Sequence, residues 1–222
     1  MPLQSEPDGL AITGETNVTA RFFNFAKRWR KPLSALIVSV LLSGTVLAPG
    51  SARATDVSAA DPQPEGLSQG LSVQYYYQKF RHLDELVEYM SRKEPGDGDP
   101  LPNLDYVLGE GKLILTTEYN KYVGADINGF INFSEPGTWN LVVVSNDGVR
   151  LWIDDKLLYE DPDVHADRES DMIPVTISDA GWHAIRVLYF QRKGSSALIL
   201  GWEPPGGEIE VVPPEAFGHM SE

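Results

Sequence analysis

The 222-residue chain contains no cysteine. That absence excludes disulfides, thiolate metal sites and a lipid-modified cysteine anchor together. Missing too are a phosphate-cradling glycine loop, a Gly-x-Ser-x-Gly nucleophile elbow and a metalloprotease helix with paired histidines. There are four histidines, and neither His82 nor His219 has a His or Glu at zinc-binding spacing. No segment repeats another. The apolar run at residues 33–48 falls short of the roughly 20 residues that a membrane span takes. Basic residues are scarce, with Lys+Arg 18 against Asp+Glu 32 and a net charge of −14. Such a surface repels phosphate backbones and anionic lipid, which disfavours nucleic-acid binding. It suits cations, neutral sugars or a basic protein partner, although plain solubility accounts for the same charge.

What is present begins with a leader. Lys27, Arg28, Arg30 and Lys31 precede the apolar run, and Ala52-Arg53-Ala54 offers small residues at the positions signal peptidase reads. Residues 1–54 therefore read as a signal peptide for ordinary secretory export, since Trp29 separates the arginines of any twin pair. An uncleaved anchor is the alternative. With cleavage no stable membrane span remains, and the product is periplasmic or extracellular. The leader holds six of the basic and three of the acidic residues, which leaves 12 against 29 and a net of −17.

Residues 55–69, rich in Ala, Pro, Ser and Asp, read as a flexible linker. The folded domain is expected over 70–219. Val73-Gln74-Tyr75-Tyr76-Tyr77 favours a strand. The spacing of Phe80, Leu83, Leu86, Val87 and Met90 predicts one short helix over 80–90, followed by a loop over 94–103. Strands are expected at 112–118, 125–133, 139–144, 149–153, 157–159, 172–177, 183–190 and 197–202, separated by Gly, Pro, Asn and Asp clusters. Asp154-Asp155 reads as a two-residue hairpin turn. The class is all-β, an antiparallel β-sandwich with one short helix near the start of the domain.

The segment from Ser145 to Asp155 is the most informative part of the chain. Val149, Leu151 and Ile153 fall on one side of an extended strand, and Arg150, Trp152 and Asp154 on the other. The strand follows the turn Ser145-Asn146-Asp147-Gly148, and Gly137-Thr138-Trp139 lies upstream. A second block runs Ala180-Gly181-Trp182-His183-Ala184-Ile185-Arg186-Val187-Leu188-Tyr189-Phe190-Gln191, with Ala197-Leu198, Trp202, Val212-Pro213 and Phe217 after it. Over about residues 66–218 these blocks resemble the protective-antigen, or fourteen-kilodalton, β-sandwich domain family. That module is shared by anthrax protective antigen, glycosidase inserts and fungal adhesins. The resemblance implies a secreted β-sandwich whose frequent role is carbohydrate binding. In the fungal adhesin branch, two successive aspartates in the first turn hold a calcium ion that touches sugar hydroxyls, and a later asparagine completes the site. Mapped here, the aspartates fall on Asn146 and Asp147 and the later ligand falls near Gln191. Asn146 replaces a carboxylate, and Gln191 is one methylene longer than asparagine. Calcium accepts about six to eight oxygens, amide carbonyls included.

The candidate ligand-binding residues are Asn146, Asp147, Trp152, His165 and Gln191, and the candidate Ca2+ ligands are Asp147, Asn146 and Gln191. Each has a plainer reading. Asn146-Asp147-Gly148 is equally a turn whose Asp side chain bonds nearby N–H groups. His165 belongs to an oxygen-rich loop with Asp161, Asp163, Asp167, Glu169 and Asp171, and such a run is more often solvated than ligating. Trp152 either stacks on a pyranose ring or is covered by a loop or the early helix. Trp139, Trp182 and Trp202 are assigned to the core, His183 to a packed position, and Arg150 and Arg186 to outward pairs with carboxylates.

Catalysis is not expected. A glycosidase needs two carboxylates across a cleft, and 29 acidic residues will meet that condition by chance. In the resembling enzymes the module is an accessory beside a separate catalytic domain. Two functions follow from the sequence. One is an exported module that recognises a glycan or oligosaccharide through acidic loops, with calcium assisting. The other is an interaction subunit that presents those loops to a basic protein partner.

Overall fold

The structure is a computed structural model that describes residues 54–221. Apart from Ala54, the signal-peptide assignment lies outside these residues. In chain order the described strands are β1 (Thr55–Val57), β2 (Ser68–Gln69), β3 (Leu71–Tyr77), β4 (Gly96–Leu101), β5 (Asp105–Leu108), β6 (Val123–Phe133), β7 (Gly137–Asn146), β8 (Val149–Ile153), β9 (Lys156–Asp161), β10 (Arg168–Glu169), β11 (Ile173–Ile177), β12 (Gly181–Gln191), β13 (Ser196–Glu203), β14 (Glu210–Val211) and β15 (Phe217–His219). Helix α1 (Leu83–Met90) lies between β3 and β4. Two sheets result. One has seven strands in the order β1-β11-β7-β13-β14, with β10 also on β7 and β5 on β13. The other has eight in the order β2-β15-β6-β12-β8-β9, with β3 on β6 and β4 on β3. Nearly every pairing is antiparallel, so the all-β sandwich expected from the sequence is the fold. Among the described residues no helix is long and apolar enough to cross a membrane.

Alternation decides what each strand buries. Along β12, His183, Ile185, Val187, Tyr189 and Gln191 face the space between the sheets, while Ala184 and Arg186 are exposed on the outer face. Along β8, Val149, Leu151 and Ile153 are buried and Arg150 and Trp152 lie outward, as the alternation predicts. Trp139, Trp202 and Phe133 form an aromatic cluster in the core, with Trp139 and Trp202 ring centres 4.8 Å apart. Each such side chain removed from water contributes roughly 1.5–3 kcal/mol. Trp182, assigned to the core from sequence, is instead half-buried because its row on β12 faces outward. A second cluster forms on the outer face of the eight-stranded sheet, where Phe80, Leu83 and Leu86 cover Tyr76, Leu188 and Phe190.

Several boundaries differ from the sequence reading. The stretch 55–69 is not a linker. Its β1 pairs in parallel with β11, Val57 is fully buried, and Gln63 bonds the backbone N–H and carbonyl of Trp182. Among the described residues strand pairing therefore already begins at Thr55, ahead of residue 70: one buried valine and a sheet edge open to pairing outweigh a polar composition. The loop expected over 94–103 contains β4, an edge strand that among the described residues pairs only with β3. Pro100 is tolerated there because an edge position does not need its missing N–H. The strand expected over 112–118 is a series of turns, with Leu115 at φ 50°. The hairpin at Asp154-Asp155 is present, with φ 47° and 60° at the two residues.

Candidate functional site

Where β7 turns into β8, the chain passes through Asn146, Asp147 and Gly148, and a cis peptide bond joins Asn146 to Asp147. The turn lies directly against the end of β12. The Asp147 N–H donates to the Phe190 carbonyl (3.1 Å), and the Phe190 N–H donates to the Gly148 carbonyl (3.0 Å). Gly148 allows this approach, since a Cβ there would stand 2.4 Å from the Phe190 ring and 2.9 Å from the Pro162 carbonyl oxygen.

Asp147 is only 3% exposed. Its Oδ1 accepts the His165 N–H (3.2 Å) and its Oδ2 the Arg192 N–H (2.7 Å), so one carboxylate ties together two loops distant in sequence. Burial pushes its carboxyl above the ordinary value of 3.8, and the two N–H donors offset part of that effect. Asn146 is 5% exposed, and its Nδ2 donates to Asp167 Oδ1 (2.9 Å) and Ser195 Oγ (3.2 Å). Gln191 is fully buried at the end of the inward row of β12. Its Nε2 donates to the Ser195 carbonyl (3.1 Å), while its Oε1 has no hydrogen-bond partner among the described residues. Tyr189, one inward position earlier, donates its hydroxyl to the Asn146 carbonyl. Burial and the nearby Asp147 and Asp167 carboxylates push that hydroxyl well above its ordinary value.

Asn146, Asp147 and Gln191 are thus brought together, as the sequence suggested, but under the surface and not on it. The exposed residues at the opening are Asp167 and Ser195, with Arg192 half-buried beside them. Two of the candidates behave differently. His165 reaches the corner through its backbone N–H alone. Its ring is buried, with Nδ1 donating to the Ala166 carbonyl (2.8 Å) and Nε2 lying 3.3 Å from Asp161 Oδ2, outside hydrogen-bond geometry. Asp161 is held in turn by Arg168, so the predicted acidic loop is partly a structured ion pair. Trp152 does not belong to the corner. It faces outward in a separate cavity, because the β8 alternation that buries Val149 and Leu151 turns it to the opposite side of the sheet.

Two features of this rim were missed from sequence. The Arg192–Ser195 turn supplies a backbone donor to Asp147 and acceptors to Asn146 and Gln191. An aromatic group adjoins it: the Tyr122 N–H donates to the Arg192 carbonyl, and Lys79 and Lys121 approach the Tyr122 ring at 6.0 and 5.4 Å. Exposed Tyr77, beside Val123 in the β3–β6 register, lies 4.3 Å from the Tyr119 ring centre. The run Tyr119 to Tyr122 was the available signal, obscured by the strand assigned just before it.

Among the described residues, no three His, Cys, Asp or Glu side chains approach closely enough to hold a metal ion. The oxygens at the corner are a carboxylate and two side-chain amides. A hard cation accepts such a set, and the unpartnered Gln191 Oε1 is a buried acceptor that an ion would satisfy.

Comparison with known proteins gives a consistent picture. The family profile described as "PA14 domain" matches residues 67–216. No curated protein matches the chain. Among solved structures, the PA14 domain of the antifreeze protein MpAFP is similar at 18% identity and TM-score 0.57, over 72% of this chain and 95% of that one. A PA14 sugar-binding domain from an RTX adhesin gives 17% identity and TM-score 0.54, over 68% and 99%. The A domain of epithelial adhesin 9 from Candida glabrata, in complex with Galb1-3GlcNAc, gives 16% identity and TM-score 0.58, over 77% and 97%.

Proposed function

The chain belongs to the PA14 domain family, and from that membership we propose that it is an exported, non-catalytic module that binds carbohydrate at the Asn146–Asp147 corner with the help of calcium. One observation carries the calcium part of this reading. Gln191 Oε1 is buried without a hydrogen-bond partner among the described residues, on the strand end whose Phe190 carbonyl and Arg192 N–H both bond Asp147. Leaving a buried acceptor unpaired costs about 1–3 kcal/mol, a cost that a coordinated ion would offset.

Asp147 supplies the negative charge, and Asn146 and Gln191 supply neutral amide oxygens. When bound, a calcium ion offers open coordination positions to sugar hydroxyls. The protein's own work is positional. The Arg192 and His165 N–H groups fix the Asp147 carboxylate, and Ser195 fixes both amides. Tyr77 and Tyr119 provide an exposed aromatic surface along the same rim, suited to the apolar face of a sugar ring. The carbohydrate part is supported by the sugar-binding adhesin domains among the similar structures.

The test is a glycan array together with thermal melts, each with calcium and with chelator. At calcium 100-fold above its Kd the native state gains about 2.7 kcal/mol. For a domain of this size that is a rise of about 5–10 °C in melting temperature. An array without chelator-sensitive signals, combined with unchanged melting, would reject the reading.

A further inference from the structure

The outer face of the eight-stranded sheet carries a second site. The β3–β6, β6–β12 and β12–β8 registers place Ser72, Asn128, Arg186 and Trp152 in a single outward row across four strands. In the adjoining row Phe130 pairs with Ala184. Helix α1 belongs to the cluster over Leu188 and Phe190, and Trp152 packs against that cluster at the end of this row. The small side chains of Ser72 and Ala184 leave a hollow of about 420 Å³ between larger neighbours, which include Trp152, Phe130, Arg186 and His219. Sites for small ligands span about 300–1,000 Å³.

The polar groups here are already fixed. Arg186 holds Asp126 in a two-point pair (2.9 and 3.0 Å) and lies 5.6 Å from the Trp152 ring centre. Asp126 Oδ1 also accepts from Asn128 Nδ2 (3.0 Å), which leaves the Asn128 Oδ1 acceptor unused. His219 Nδ1 faces the Gly70 carbonyl (3.1 Å), so that nitrogen carries the proton and Nε2 remains for a ligand. Asp155 adds an exposed carboxylate at the edge of the hollow. The side-chain groups left for a ligand are the acceptors of Asn128, His219 and Asp155 together with the remaining Arg186 N–H donors, set beside an aromatic wall. Arg186 and Asp126 cancel, and Asp155 disfavours anions. Acceptors and N–H donors meeting sugar hydroxyls, next to a flat apolar ring, are the chemistry that recognises a neutral saccharide.

We infer that this hollow is a second, calcium-independent site for a neutral saccharide ring, seated between Trp152 and Phe130 over Ala184. It extends the carbohydrate reading yet shares no residue with the Asp147 corner and needs no ion, so either site can fail alone.

The experiment titrates the protein with lactose, maltose and cellobiose in excess chelator and follows the Trp152 indole and Asn128 side-chain resonances by NMR. The expected result is saturable shifts of both resonances with at least one sugar. Ala184→Leu, which fills the hollow from an exposed position, should weaken that binding by about tenfold or more. The same variant should keep its melting temperature and any chelator-sensitive glycan binding, a pattern that a merely unfolded variant would not give. Trp152→Ala should weaken binding in the same way. No shift of these resonances with any of the three sugars, or wild-type affinity in Ala184→Leu, would overturn the inference. So would burial of Trp152 in a dimer formed by a second copy.

Discussion

Gln191 and Asn146 meet at Ser195: one amide donates to its carbonyl and the other to its hydroxyl, at 3.1 and 3.2 Å. Asn146 also donates to Asp167, and the Gln191 oxygen is left with no donor among the described residues. Replacing Gln191 by Leu removes one hydrogen bond together with one unpaired buried acceptor. The net effect on stability in chelator should stay within about 1 kcal/mol. The calcium-induced rise in melting temperature should disappear. Paired melts with calcium and with chelator measure both, and a full calcium response in Gln191→Leu would remove Gln191 from the ligand set.

The pH dependence follows from Asp147. Its folded-state pKa is raised above 3.8, chiefly by burial. In the metal-free protein the stabilising contribution is therefore complete below the ordinary carboxylate pKa and is lost as pH rises through the folded value. Calcium requires the ionised form, so its affinity should run the other way and fall as pH drops through that raised value. Calorimetric calcium titrations between pH 4 and 7 should show weakening that begins at a higher pH than an ordinary carboxylate would give. Affinity constant down to pH 4 would contradict the assignment of Asp147 as a ligand.

Gly148→Ala tests the contact between the turn and β12. The added methyl meets the Phe190 ring at 2.4 Å and the Pro162 carbonyl at 2.9 Å, so the strand end or the turn must move. Overpacking of this kind costs about 1–3 kcal/mol. Denaturant midpoints report the loss, and a variant as stable as the parent would mean that the turn stands clear of Phe190.

Val57→Asp tests whether β1 belongs to the domain. The side chain is fully buried and pairs at the level of Ile177. Burying an unpaired carboxylate there should cost at least about 2 kcal/mol. In a true linker the same change would leave the melting curve unmoved.

The parts of the fold legible in the sequence were those with strong local signals. The period-two pattern of Val149 to Ile153 gave both the bounds of β8 and its buried side. The Asp154-Asp155 turn was equally plain, because few other residues accept positive φ. By contrast, Gly96-Asp97-Gly98-Asp99-Pro100 has the composition of a loop, and only an available partner in β3 makes it a strand. At the site, the residue types at Asn146, Asp147 and Gln191 were readable but their depth was not. Their burial depends on loops near His165 and Arg192 closing over them, and nothing local to the turn encodes those contacts. Trp152 was rightly placed on the outward side of its strand, yet which outward neighbours it meets depends on the register of four strands.

The composition of β4 has a consequence for how copies of this protein coexist. A free sheet margin is an invitation to another chain, and here that margin carries Asp97, Asp99 and Pro100. Two carboxylates repel an incoming β-ribbon, and the imide ring has no N–H to offer it. Molecules crowded side by side along this flank are thereby discouraged from zipping into fibres.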